Sequence, residues 1–156
     1  MTADRTVVEG AIAGLLKPLG FKKTRSTWRR SSTETVLVLN VQKSMFGPTL
    51  YLNLGVYLRR LGAETTPPEY RCHIRTRLDG LCEDASALVE ALDLESNLTD
   101  AGRQRCVVDA IVQRGLPWLE ARETEVKARA ALLAEKVPTG LVAVAARRYL
   151  GLQTGA

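Results

Sequence analysis

TLYLNLGVYLRR, residues 49–60, alternates between apolar and other side chains almost without error. Leu50, Leu52, Leu54, Val56 and Leu58 fall at every second position and share one side of a strand, while Tyr51, Asn53, Gly55 and Tyr57 share the other. The first side is core. The second raises the functional question, because two tyrosines and an asparagine line a face that an antiparallel sheet ordinarily gives to solvent.

Reading outward from this strand gives the rest of the sheet. ETVLVLNVQKS, residues 34–44, is rich in β-branched residues and is followed by the turn MFGP. The expected hairpin register sets Leu39 opposite Leu52 and Val41 opposite Leu50, so that Asn40 faces Tyr51, Gln42 faces Thr49 and Val38 faces Asn53. Downstream, LGAETTPPEY (61–70) is a loop whose paired prolines exclude a central strand. RCHIRTRL (71–78) is the next strand, with Cys72, Ile74, Thr76 and Leu78 on one face and Arg71, His73, Arg75 and Arg77 on the other. Upstream, FKKTRSTWRR (21–30) reads as a short basic strand or hairpin anchored in the core by Trp28.

Helical spacing frames this sheet. Val7, Val8, Ala11, Ile12, Leu15 and Leu16 mark an N-terminal helix that Pro18 and Gly20 end. EDASALVEALDL (83–94) is a short amphipathic helix, and Thr99 or Asp100 caps a longer one carrying Val107, Val108, Ile111 and Val112. RGLPW interrupts that helix, since Pro117 removes a backbone donor but suits a new first turn. A helix over 117–136 follows, then a break at VPTG and a last helix in LVAVAARRYLGL (141–152). The fold class is therefore α+β: an N-terminal helix, roughly four antiparallel strands, and C-terminal helices packed on the sheet. A single domain is expected over 1–156, with helix plus sheet in 1–80 and a helical part in 81–156.

Composition bounds the function. The 46% apolar and 25% charged residues are those of an ordinary globular chain, and no apolar run approaches the roughly 20 residues of a membrane span. MTADRTVVEG has acids where a signal peptide has its basic region, so a cytoplasmic location without a membrane partner is expected. Three cysteines, Cys72, Cys82 and Cys106, without CxxC spacing, and one histidine argue against a disulfide framework and a zinc site; no metal and no cofactor are expected. Charge is uneven: residues 1–78 carry 13 Lys/Arg against 5 Asp/Glu, and residues 79–156 carry 9 against 12. A basic half attracts nucleic acid or an acidic partner, or is answered by the acidic half of the same chain.

Four fragments in order carry a resemblance: LLKPLGFKK (15–23), WRR (28–30), LNVQKS (39–44) and LNLGVYLR (52–59). Together they resemble a bacterial family catalogued as domain of unknown function 4304, over about residues 7–78. The family implies no activity and no catalytic residues. Its members resemble small stand-alone proteins of accessory or immunity type, which implies a protein partner.

The candidate binding face comprises Asn40, Gln42, Tyr51, Asn53, Tyr57, His73, Arg75 and Arg77, with Gly55 leaving a gap where a ligand or another backbone approaches. Two plainer readings stand beside it. The face is ordinary wet sheet, or a helix from the second half crosses it and turns its polar groups into packing. For catalysis, His73 is the one side chain titrating near neutrality, with Arg75 as an anion anchor, but no carboxylate at fixed spacing orients it and the catalytic set stays unassigned. Cys72 and Cys106 read as small buried hydrophobes, and Cys82, near a helix start, as somewhat activated. Lys22, Lys23, Arg25, Arg29 and Arg30 surround Trp28 as a basic patch suited to phosphates and stacking, although no nucleic-acid-binding signature accompanies it. The resulting expectation is a non-catalytic binding protein with a protein partner; a small-molecule protein or enzyme on the same face comes second, and nucleic acid third.

Overall fold

A computed structural model describes residues 3–135 and 140–153. Helix α1, Arg5–Leu16, starts where the Asp4 side chain accepts the Thr6 N–H at 3.0 Å. It buries Val8, Ile12 and Leu16, a strict four-residue stripe. A 3-10 turn containing Pro18 tightens its end, and Gly20, at φ 89°, reverses the chain in the left-handed region.

Six strands follow: β1 Lys22–Thr24, β2 Thr27–Ser31, β3 Thr35–Lys43, β4 Leu50–Leu58, β5 Ile74–Arg77 and β6 Gly140–Val142. They form one antiparallel sheet in chain order. The expectation of roughly four strands is corrected on two counts. The basic segment takes the hairpin form of its two expected alternatives and so contributes two strands, around a turn at Arg25, whose φ is 57°. The sixth strand comes from Leu141 and Val142, which the helical spacing of LVAVAARRYLGL had assigned to a helix; only Val144–Tyr149 is helical there, as α6. A three-residue edge strand carries no periodicity of its own, and β6 exists because β5 offers it an open row of backbone groups.

The β3–β4 register also differs from expectation. Leu39 lies opposite Leu54, Val41 opposite Leu52 and Asn40 opposite Asn53, a slip of two residues. A slip of two keeps every side chain on its own face, so the face assignments survive while the cross-strand partners change.

The sheet's inner face carries Leu37, Leu39, Leu50, Leu52, Leu54, Val56, Leu58 and Ile74 in one apolar cluster with residues of all six helices. Besides α1 and α6 these are α2 Ser86–Leu92, α3 Asp100–Ala110, α4 Leu116–Glu120 and α5 Glu125–Ala134. Thr99 caps α3 by accepting the Gly102 N–H. RGLPW does not sever the helix: Ile111–Gly115 widen into a π turn, which accommodates the missing donor of Pro117 and runs on into α4. The helix expected over 117–136 is instead α4 and α5 with a break at 121–124, where Thr124 recaps the chain. Of VPTG, residues 137–139 lie outside the described residues. Among the described residues no helix is long and apolar enough to cross a membrane.

The outer face is covered over half its length. The plainer expectation of a crossing helix from the second half is corrected: the cover is the β4–β5 connection, residues 59–73. It folds back so that Cys72 joins Val36, Val38 and Tyr57 in a small second apolar cluster. Cys72 was expected on the core face with Ile74, but a 3-10 turn at Glu69–Arg71 ends the strand alternation before it reaches Cys72.

Candidate functional site

On the outer face β4 and β5 bring the expected residues together in two groups. Arg75 lies opposite Gly55 and Arg77 opposite Asn53, while His73 donates its backbone N–H to the Val56 carbonyl beside Tyr57. All eight candidate residues therefore share one face, but they do not form one site. Tyr51 and Tyr57 stand six positions apart on β4, about 20 Å at strand rise.

The covered group is packed. Tyr57 is buried, its ring centroid 4.6 Å from that of His73, and its hydroxyl accepts the Glu64 N–H at 3.3 Å. His73 Nδ1 accepts the Leu58 backbone N–H at 2.9 Å, so this nitrogen is occupied and the proton of the neutral ring sits on Nε2. Burial also lowers the His73 pKa, which favours the neutral ring further. The gap above Gly55 is filled by the chain itself: a Cβ there would lie 2.6 Å from Cys72 Sγ and 2.7 Å from its Cβ. With Tyr51 about 20 Å from Tyr57 and its neighbour His73, the acid–base pairing of His73 with Tyr51 is not assembled.

The thiols are quiet. Burial, then the Glu69 carboxylate, push the Cys72 thiol up to about 12. Burial also raises Cys82, correcting the expectation of an activated thiol; the Cys82 Sγ–H points to the Leu78 carbonyl at 3.5 Å. All three cysteines are free.

The open group is ordered by its own bonds. Asn53 Nδ2 donates to Asn40 Oδ1 at 3.2 Å and Gln42 Oε1 at 2.9 Å, and Asn40 Nδ2 donates to Thr27 Oγ1 at 3.0 Å. Asn53 is only 8% exposed and serves as the hub of this relay. Arg77 lays its guanidinium over the Tyr51 ring, 4.0 Å from the centroid, and has no carboxylate partner among the described residues. Arg75 is held differently, by Glu69 through two bonds of 2.9 and 3.2 Å, and this pair raises its pKa. A shallow recess of about 270 Å³ opens between Asn53, Glu69, Arg75, Arg77 and Leu141.

Sequence reasoning missed Thr27, Glu69 and Leu141. Glu69 stood in a loop, and the 3-10 turn that swings it to Arg75 follows the paired prolines of TTPPEY. Leu141 counted as part of a helical stripe, yet on β6 it faces outward next to Arg75.

The basic patch is divided by the sheet. Lys23 and Arg30 point inward: Lys23 lies over Trp28 and pairs with Glu9 at 3.7 Å, and Arg30 pairs with Glu123 at 3.1 Å. Lys22 and Arg29 are cross-strand partners on the outer side, and Arg25 sits at the turn. Five cations close in sequence do not make one continuous phosphate track.

The family model of a domain of unknown function, DUF4304, matches residues 12–121. No curated protein and no solved structure matches the chain.

Proposed function

The chain belongs to the DUF4304 family, a domain of unknown function, and from that premise we propose that it is a non-catalytic cytoplasmic binding protein of accessory or immunity type, holding a protein partner on the open half of its outer sheet face. The observation that carries this reading is the Arg77–Tyr51 stack without a carboxylate partner among the described residues, flanked by the exposed Gln42 and the 67% exposed Leu141. Tyrosine and arginine are the residue types that most often concentrate binding energy in protein interfaces. Here the Asn40–Asn53–Gln42 relay fixes the strand surface beneath them before any partner arrives, which limits the ordering cost of association. The occupied Nδ1 of His73, its lowered pKa and the quiet thiols favour binding over catalysis.

The test is quantitative affinity capture from the host lysate with the wild-type chain and with Tyr51→Ala plus Arg77→Ala, both checked for native circular dichroism. A stoichiometric partner whose affinity falls by about 2 kcal/mol or more in the double variant supports the reading. A partner retained equally by both chains refutes it.

A further inference from the structure

The two outward cations of the divided basic segment lie at a different place from the Tyr51–Arg77 surface, and the 59–73 connection separates the two. Lys22 on β1 and Arg29 on β2 stand directly opposite one another. Like charges in that position destabilise a sheet. Neither forms an ion pair among the described residues, whereas Arg5, Arg30, Arg71, Arg75 and Arg122 all do.

Arg29 is also fixed in direction. Its Nε donates to the Pro67 carbonyl at 2.8 Å, which holds the guanidinium beside the Thr65–Thr66 segment and leaves both terminal nitrogens for another acceptor. Its charge is partly desolvated with no carboxylate in return, and burial lowers its pKa accordingly. Between these groups lies a recess of about 300 Å³ that Lys22, Thr24, Arg29, Ser31, Thr65 and Thr66 line, with Gly20 and Arg30 at its border. Arg30 is already paired with Glu123, which leaves Lys22 and Arg29 as the cations without an ion pair among the described residues, and no carboxylate is among the lining residues.

The donor set has a definite complement. Four hydroxyls, the free edge of a guanidinium and an ammonium offer more hydrogen-bond donors than the two oxygens of a carboxylate accept. A phosphoryl group presents three oxygens and about two negative charges, which answers both cations at once. We propose that this recess is a binding site for a phosphoryl group, supplied as inorganic phosphate or as the terminal phosphate of a small ester. The volume is at the lower end for ligand pockets and admits the phosphoryl group with a small part of its carrier. Occupation joins β1, β2 and the 59–73 connection through one anion and relieves the Lys22–Arg29 repulsion.

The test is isothermal titration of the full chain with inorganic phosphate and, separately, with phenyl phosphate, in chloride buffer of fixed ionic strength. The wild type, Lys22→Gln, Arg29→Gln and the remote control Lys43→Gln are compared. Saturable binding below about 1 mM is expected, with at least a ten-fold loss in Lys22→Gln and in Arg29→Gln and no change in Lys43→Gln. Lys22 is exposed and makes no ion pair among the described residues, so its variant keeps the test decisive should Arg29→Gln unfold. Tighter binding of phenyl phosphate assigns the site to esters, and equal binding assigns it to the free anion. Absence of saturation by 10 mM phosphate, or an equal loss in Lys43→Gln, overturns the proposal. So does a single-stranded oligonucleotide that binds far tighter than phosphate with a salt slope above two charges, since that is the signature of an extended track.

Discussion

Gly55 and His73 show how single residues on this sheet serve packing. Gly55→Ala places a methyl 2.6 Å from Cys72 Sγ and 2.7 Å from its Cβ, and overpacking of this kind costs about 1–3 kcal/mol. Urea unfolding should record that loss, and Gly55→Ala combined with Cys72→Gly should recover part of it, because the second change removes both opposing atoms. His73, the one histidine, gives a clean pH test. Its folded pKa lies below the ordinary value of about 6.5, so the unfolded chain takes up the proton first. The stability it contributes is complete above about pH 6.5 and is lost as pH falls from there through the folded value. An NMR titration should place its ring resonance below 6.5. Denaturation at pH 7.5 and 5.5 should show a fall in stability that His73→Gln reduces.

At the scale of elements, the informative cases are those that sequence period did not resolve. β6 depends on contact with β5: Gly140 lies so close to the Arg75 carbonyl and Thr76 Cα that any Cβ would collide with that backbone. Gly140→Val should detach β6, read as faster amide exchange at Val142 and Ala143, whose N–H bonds to the His73 carbonyl, with α1 and β3 still protected. The end of α2 is closed by a side chain from α3. Buried Arg103 donates to the carbonyls of Ala91, Asp93 and Ser96 at 2.7, 2.7 and 3.2 Å. Arg103→Met leaves those acceptors unpaired, and a destabilisation of roughly 3 kcal/mol is expected in thermal or urea unfolding. The α1 and β4 elements, by contrast, were legible from periodicity, because α1 repeats its buried stripe three times at Val8, Ile12 and Leu16 and β4 repeats its own five times from Leu50 to Leu58, while β3 was legible from its β-branched run.

Across the whole molecule one apolar cluster runs from Trp28 under the β1–β2 hairpin to Trp118 in α4. The acidic second half meets the basic first half through Arg30–Glu123 and Arg60–Glu125, so part of the charge asymmetry is answered internally. A shared core implies one cooperative unit. Single-tryptophan variants Trp28→Phe and Trp118→Phe should each give a fluorescence transition that coincides with their circular-dichroism transition; separate midpoints would divide the chain into two folding units.

Periodicity and burial were enough for the α+β class, the two faces of β4, the start of α3 at Thr99 or Asp100 and the grouping of the eight polar residues on one side of the sheet, since burial on one face at a period of two leaves no other arrangement. Tertiary structure alone decided the two-residue register, the sixth strand, the return of Cys72 onto Gly55, the division of the basic segment and the separation of His73 from Tyr51. These depend on which distant segments meet, and a loop such as 59–73 or a three-residue edge strand takes its conformation from the surface it lands on.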